Sequence, residues 1–212
     1  PLSVTPLKKH AQLYPALLGA AATLGYSEIG DFNIAAPEGF GMPDCTIRRG
    51  RRHSTFDAYL GSGRSRRNLS IEPGALVCRI LVEQGRACGV EFERAGERHV
   101  LRARRAVILC GGSFNSPQLL MLSGIGPAAQ LQQHGIGLVA DLPGVGTNLQ
   151  DHPIALSFWA AAKANTFDRE LRLDRLAFNV LRWMLSGKGS PAQSPLTIQG
   201  FIRSGPEQDR PD

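Results

Sequence analysis

The sequence predicts a mixed α/β fold, and three local patterns support this prediction. Residues 106–110 (AVILC) form a short apolar run rich in β-branched side chains, which is typical of a strand buried on both faces of a parallel sheet. Residues 67–106 alternate apolar and polar side chains between glycine-containing turns, which indicates an antiparallel β-meander. Residues 171–185 indicate an amphipathic helix with arginines facing outward. The apolar residues expected to face inward are Leu173, Leu176, Ala177, Val180, Leu181 and Met184.

The segment after the predicted buried strand is expected to turn sharply into a helix. Gly111-Gly112 follows the strand at once, so the backbone can turn and approach a neighbour closely. We expect a buried helix over Pro117–Leu122, with Asn115 or Ser116 as its N-cap and Pro117 at its first position. Strand, glycine turn and helix N-terminus together are typical of a nucleotide-binding edge, because helix N-termini offer free N–H groups to anions. The alternative is a Gly-Gly turn that serves only close packing.

Further elements are predicted on either side of this segment. Ser54 and Asp57 have capping-box spacing at a helix start. In the loop 26–45, Phe32, Phe40 and Met42 are candidates for a pocket wall or for core packing. Helices are also expected over 8–24 and 127–135, and short strands over 68–72, 136–140, 154–162 and 197–203.

Two long ungapped motifs carry a family resemblance. Residues 112–126 (GSFNSPQLLMLSGIG) resemble the second signature of the glucose–methanol–choline (GMC) oxidoreductases, and residues 142–152 (LPGVGTNLQDH) resemble the block that follows it. The resemblance is closest to the choline dehydrogenase-like branch. It implies part of an FAD-binding doubly wound domain with a β-meander, plus part of an antiparallel-sheet substrate domain. The implied boundaries are 1–50 for a substrate-domain segment, 51–152 for an FAD-domain segment and 153–212 for a second substrate-domain segment.

The resemblance also implies a function and a cofactor site. The chain would be the middle portion of an FAD-dependent alcohol dehydrogenase or oxidase, in which hydride passes from a primary alcohol to the flavin. Val77 would place its backbone against the adenine, although plain strand core is an equal alternative. Cys110, Gly111 and Gly112 would lie at the strand end that approaches the adenosine half of FAD.

Two features of such enzymes are missing from this sequence. No strand–GxGxxG–helix unit for the FAD pyrophosphate is present. The family's catalytic pair, a His with a His or an Asn, belongs to a C-terminal segment that these residues do not reach. We therefore assign no catalytic residue and expect a piece of a longer chain that is inactive alone. Choline is one candidate substrate among alcohols, and the acceptor (oxygen, a quinone or a cytochrome) and the oligomeric state stay open. The alternatives are a hydroxynitrile lyase of the same fold and a non-catalytic module that binds nucleotides or a partner.

Charge and composition narrow the possible partners. The net charge is +6, and arginines cluster at 48–52, 64–67 and 102–105. These clusters lack interleaved aromatic residues, so a solvated surface is favoured over nucleic-acid binding. A basic surface would also suit binding to an anionic membrane face or to an acidic partner protein, and the sequence favours neither of these two. No apolar run is long enough to span a membrane, so a cytoplasmic location is expected, with peripheral membrane association left open.

Cysteine and histidine spacing predicts no metal site. Cys45, Cys78, Cys88 and Cys110 form no CxxC pair, so they are interpreted as reduced thiols. The five histidines are scattered singly, without metal-ligand or triad spacing. His152 beside Asp151 is interpreted as a hydrogen-bonded structural pair.

Overall fold

The computed structural model describes residues 1–7, 13–61, 66–160, 162, 171–192 and 198–211. The chain divides into two compact units. The first comprises residues 1–69 and 157–212, and the second comprises residues 70–156. Helices and strands occur in both units, which confirms the mixed α/β class. These boundaries differ from the predicted segments, whose assignment to an FAD domain and a substrate domain stays a prediction.

The second unit is built on the predicted meander. Strands β6 (Leu76–Glu83), β7 (Arg86–Arg94) and β8 (Glu97–Arg102) form an antiparallel three-stranded sheet in the order β6-β7-β8. The two connections, Gln84-Gly85 and Ala95-Gly96, have positive φ at every residue. Hairpin turns of this kind match the right-handed twist of the strands they join. The prediction of a meander is confirmed, whereas the strand predicted at 68–72 is absent, since those residues form turns and irregular chain.

Helix α2 (Gly112–Leu122) packs against β6 and begins earlier than predicted. Gly111 is its N-cap, so Asn115 and Ser116 are helical and Pro117 lies inside the helix. The predicted caps and the predicted position of Pro117 are therefore wrong. No residue of α2 is buried, and Phe114 is 72% exposed, so the prediction of a buried helix is also wrong.

The run 106–110 is not a strand in the structure. No described residue pairs with it, Ile108 is 84% exposed and Cys110 is exposed. The composition of this run suits a central parallel strand, but a strand exists only where neighbouring backbones satisfy its N–H and C=O groups. The described residues supply no such neighbour, so the predicted buried strand is corrected to a segment without regular secondary structure.

A small parallel pair follows α2. Strands β9 (Ile125–Gly126) and β10 (Ala140–Asp141) pair in parallel, and helix α3 (Ala128–Gln133) connects them. The Ala128 N–H at the start of α3 donates to Asp141 Oδ1 at 3.0 Å. Leu131 of α3 is 1% exposed and is the most deeply buried side chain described. The predicted helix is confirmed, whereas the strand expected over 136–140 is reduced to its last residue and Asp141.

The first unit consists of short elements brought together from distant parts of the chain. Its helices are α1 (Leu13–Thr23) and α4 (Leu173–Ser186), and its strands are β1 (Thr5–Pro6), β2 (Gly39–Gly41), β3 (Asp44–Cys45), β4 (Ile47–Arg48), β5 (Arg51–Arg52) and β11 (Gln199–Phe201). β11 pairs antiparallel with β2, which supplies the partner that a strand near 197–203 requires. β1 pairs antiparallel with β3, and β4 with β5.

The remaining predictions for this unit have mixed outcomes. The helix expected over 8–24 is present from Leu13, and its first five predicted residues lie outside the described residues. The capping box is confirmed, because the Ser54 N–H donates to Asp57 Oδ2 at 3.2 Å while the Asp57 N–H donates to Ser54 Oγ at 3.2 Å. The turn that it starts, Phe56–Leu60, is π-helical. The strand predicted at 154–162 is wrong where residues are described, since 154–160 have no regular structure; Ala161 lies outside the described part.

Helix α4 is attached to the turn between β4 and β5. Trp183 Nε1–H donates to the Gly50 carbonyl at 2.6 Å, and the Arg51 guanidinium lies 5.2 Å from the centre of the indole ring. The buried position of the helix is Asn179, whereas Leu173 and Met184 of the predicted inward face are 85% and 65% exposed. The helix is confirmed, but its predicted inward face is wrong, because these polar contacts orient the helix.

Candidate functional site

The predicted cofactor residues Cys110, Gly111 and Gly112 lie at the amino-terminal end of α2. Gly111, the N-cap of α2, has φ −80° and ψ −2°. No described side chain forms a capping hydrogen bond with the first turn of the helix. Gly111, Gly112 and Cys110 are all exposed. The first N–H groups of a helix lack intrahelical acceptors and carry about half a positive charge together. This end of α2 can therefore receive an electron-rich or anionic group.

The backbone at this helix start is bare. Gly112 has φ +82°, and a Cβ built there would meet no atom within 4 Å. A Cβ built on Gly111 would meet Asn115 Cβ at 3.1 Å and Ser116 N at 3.2 Å. A ligand can thus approach the main chain at Gly112 more closely than at any residue with a side chain. The helix start can therefore accept a ligand group that contacts the backbone.

Val77, the fourth predicted cofactor residue, lies on β6, the strand against which α2 packs. It is 36% exposed and faces Phe92 across the sheet. The register between β6 and β7 shifts between Val77 and Arg79, so Cys78 has no cross-strand partner there. Bulges of this type redirect side chains and are frequent beside binding sites. Sequence reasoning missed this bulge, because no glycine marks it.

Charged side chains on the meander are paired with one another. Glu91 accepts hydrogen bonds from Arg79 at 2.9 Å and from Arg98 at 3.1 Å. Arg102 donates to Glu83, and this hydrogen bond together with the charge of Arg102 holds the pKa of the Glu83 carboxyl below its ordinary value. Three arginines of the meander, Arg79, Arg98 and Arg102, are therefore paired with carboxylates of the same sheet.

The histidines have structural contacts. His152 and Asp151 are both exposed, and their contact is a 2.8 Å hydrogen bond from the His152 backbone N–H to Asp151 Oδ1, not a pair of side chains. His53 is 6% exposed, and its Nδ1 accepts a 2.9 Å hydrogen bond from the Ser3 N–H. His53 thus fixes the start of the chain to β5, a role that sequence spacing did not reveal. Within the described residues, no cluster of His, Cys, Asp and Glu is arranged to hold a metal ion, and the four cysteines are free thiols.

The loop 26–45 borders a cleft of about 260 Å³ in the first unit. Phe32 and Met42 line it together with Asp31, Asp44, Gln199 and Phe201. The rings of Phe32 and Phe201 lie 5.4 Å apart, whereas Phe40 packs edge-on against Tyr26. Both interpretations of the loop aromatics therefore apply, Phe32 to a cleft wall and Phe40 to core packing. No described helix is long and apolar enough to cross a membrane.

Comparison with curated proteins finds relatives along the whole chain. Mitochondrial choline dehydrogenase of Mus musculus is 43% identical over 212 residues, covering 100% of this chain and 36% of the relative. Oxygen-dependent choline dehydrogenase of Rhizobium etli is 42% identical over 200 residues, covering 94% of this chain and 36% of the relative. The chain therefore spans about a third of the length of these relatives.

Solved structures show the same arrangement. A formate oxidase superposes with a TM-score of 0.86 at 27% identity, covering 96% of this chain and 36% of the oxidase. An FAD-dependent oxidoreductase from Chaetomium thermophilum superposes with a TM-score of 0.84 at 26% identity, covering 95% of this chain and 36% of that protein. The family model described as GMC oxidoreductase matches residues 1–154. Together with the two motifs and the bare helix start, this match shows that the chain belongs to the GMC oxidoreductase family.

Proposed function

We propose that this chain is the middle portion of an FAD-dependent oxidoreductase that acts on the CH–OH group of a primary alcohol. The observation that carries the proposal is the family match over residues 1–154, which includes the exposed Gly111-Gly112 start of α2. Relatives named choline dehydrogenase and a superposable FAD-dependent oxidoreductase support both the reaction class and the cofactor.

Four residues of the second unit are proposed to hold FAD. Val77 would offer strand backbone to the adenine, and Cys110, Gly111 and Gly112 would receive the adenosine half at the start of α2. When bound, FAD supplies the acceptor for the hydride that leaves the alcohol carbon. These residues bind and orient the cofactor, and no residue of this chain is assigned as the general base.

The substrate is proposed at the level of a primary alcohol, with choline as the first candidate. Relatives at more than 40% identity are named choline dehydrogenases, whereas superposable structures include a formate oxidase and a pyridoxine 4-oxidase. A shared fold does not fix the substrate. The relative from Rhizobium etli is named an oxygen-dependent choline dehydrogenase, whereas the name of the Mus musculus relative does not mention oxygen. The electron acceptor is therefore left unassigned.

The cofactor site can be tested in the full reading frame that contains this chain. We expect Gly112→Ala to lower the FAD content of the purified protein severalfold, because the new methyl group occupies the open space over the backbone. The measurement is the ratio of flavin to protein absorbance. Gly135→Ala is a matched control, since Gly135 also has positive φ (+67°) and open space around its Cβ position.

Both substitutions introduce backbone strain of about 1 kcal/mol at positive φ. Thermal unfolding should therefore change similarly in the two variants, while only Gly112→Ala loses flavin. Equal FAD content in the two variants would remove Gly112 from the cofactor site.

A further inference from the structure

The turn between β4 and β5 and the turn after α4 interlock. A Cβ on Gly50 would lie 1.9 Å from the Gly187 carbonyl oxygen, and a Cβ on Gly187 would lie 2.7 Å from the Arg49 carbonyl oxygen. The Trp183 hydrogen bond to Gly50 closes the same contact. Residues 49–50 and 187–189 are therefore held in a fixed backbone arrangement, which we call the double turn.

A cavity of about 190 Å³ lies beside the double turn. Two cationic residues, Arg49 and Lys188, contribute to its wall, and both are exposed. Neither forms an ion pair with a described residue. The apolar part of the wall comes from Pro6, Leu7, Ile47 and Ala192.

None of the described residues that line this cavity is acidic. Residues 1–27, 45–56 and 175–206 contain no Asp or Glu, although they contain Arg48, Arg49, Arg51, Arg52 and Lys188. The carboxylate that lies near by is that of Asp44, the cross-strand partner of Pro6, and it is exposed and outside the cavity wall. Charges of one sign in a partly enclosed site raise the local concentration of counter-ions.

Two further observations bear on the field at the double turn. Arg48 and Arg51 are direct cross-strand partners in the β4–β5 hairpin, and like charges in such a pair destabilise the hairpin. An anion bound nearby would offset that repulsion. The carboxyl-terminal end of α4 carries about half a negative charge, which repels an anion. Lys188 lies two residues beyond the last residue of the helix, and the Gly187 N–H caps the helix by donating to the Trp183 carbonyl.

We propose that the cavity at the double turn is a binding site for one small oxyanion, a phosphate or a carboxylate. Arg49 and Lys188 supply the charge, and the apolar wall accommodates a short carbon body. The volume corresponds to about six water molecules at about 30 Å³ each, which suits a ligand the size of inorganic phosphate or the head of a larger phosphate ester. The site is separate from the proposed redox function and does not depend on it.

The test is isothermal titration of the full reading frame with inorganic phosphate at constant ionic strength. We expect one site, with binding weakened at least about tenfold in Arg49→Gly, because a charge-assisted contact is lost. Arg49 has φ +51°, a conformation that glycine adopts without strain, so this variant should keep the turn. Lys188→Gln should weaken binding similarly. Arg48→Gln is the control, since it removes one charge from the hairpin without touching the cavity wall.

A second arm separates free phosphate from a lipid head group. Vesicles of phosphatidylserine and of phosphatidylcholine are sedimented with the same variants. Phosphate binding that Arg49→Gly weakens far more than Arg48→Gln does supports the site, as does loss of phosphatidylserine binding in Arg49→Gly alone. The proposal is overturned if neither phosphate nor phosphatidylserine binds, or if Arg48→Gln weakens binding as much as Arg49→Gly does.

Discussion

Ser123 connects the two main elements of the second unit through its hydroxyl group. Ser123 Oγ accepts the Ile80 N–H of β6 at 2.8 Å and donates to the Leu119 carbonyl of α2 at 2.6 Å. Both Ser123 and Ile80 are buried. The Ile80 N–H therefore depends on one serine for its hydrogen bond. This serine belongs to the motif at residues 112–126, which resembles the family's second signature.

Replacing Ser123 by alanine should destabilise the protein by about 1–3 kcal/mol, because the Ile80 N–H is left buried without an acceptor. Urea unfolding of the full reading frame, followed by circular dichroism, measures this change. Ser113→Ala, at an exposed position of the same helix, is the control and should change stability by less than about 0.5 kcal/mol. Equal stability of the two variants would show that the Ser123 contacts do not hold α2 against β6.

Residue types alone predicted several features at this scale. The Ser54–Asp57 capping box depends on two side chains three residues apart, so its spacing was sufficient. The bonds of Ser123 and His53 join residues 43 and 50 positions apart, and no local pattern encodes such pairings. The cofactor residues Val77, Cys110, Gly111 and Gly112 came from family resemblance, and their role stays a prediction.

At the scale of elements, α4 shows how polar contacts can decide the orientation of a helix. Its apolar side chains predicted a buried face, yet the structure buries Asn179 and turns Trp183 toward Gly50. Trp183 donates its indole N–H to the Gly50 carbonyl, and its ring contacts the Arg51 guanidinium. Trp183 therefore makes two side-chain contacts between α4 and the β4–β5 hairpin, beside the backbone contact of the double turn.

Trp183→Phe should destabilise the first unit by about 1–2 kcal/mol, because it removes the hydrogen bond to Gly50 and weakens the contact with Arg51. The midpoint of urea unfolding measures the effect. Phe178→Leu is the matched control, since Phe178 is 65% exposed on the same helix and should be nearly neutral. A Trp183→Phe midpoint equal to that of Phe178→Leu would contradict the assigned attachment.

Elements were predicted correctly where the strands that pair are close in sequence, and less well where the pairing partners are distant in sequence. The meander joins neighbouring strands through two-residue turns, so alternation and turn chemistry predicted it correctly. The run 106–110 has the composition of a central strand, but its pairing requires strands that are distant in sequence, and none is among the described residues. The start of α2 was misplaced because Pro117 suggested a first helical turn, whereas the helix accommodates it in its interior.

At the scale of the whole molecule, two sequence motifs identified the family, and this identification did not depend on the predicted limits of the helices and strands. Their residues lie in and after α2, where glycines and small side chains permit close backbone approach. The chain covers 36% of the relatives that it matches, so activity belongs to the full reading frame. The substrate and the electron acceptor could not be predicted, because one fold serves many substrates and acceptors.

We propose that the full protein is a flavoenzyme that oxidises a primary alcohol. The most direct measurement is the absorbance spectrum of the purified full-length protein, recorded anaerobically before and after addition of choline and a panel of other primary alcohols. We predict an oxidised flavin band that disappears with at least one alcohol, because hydride transfer reduces the flavin. A protein that contains no flavin and cannot be reconstituted with FAD, or a flavin band that no alcohol reduces, would contradict the claim.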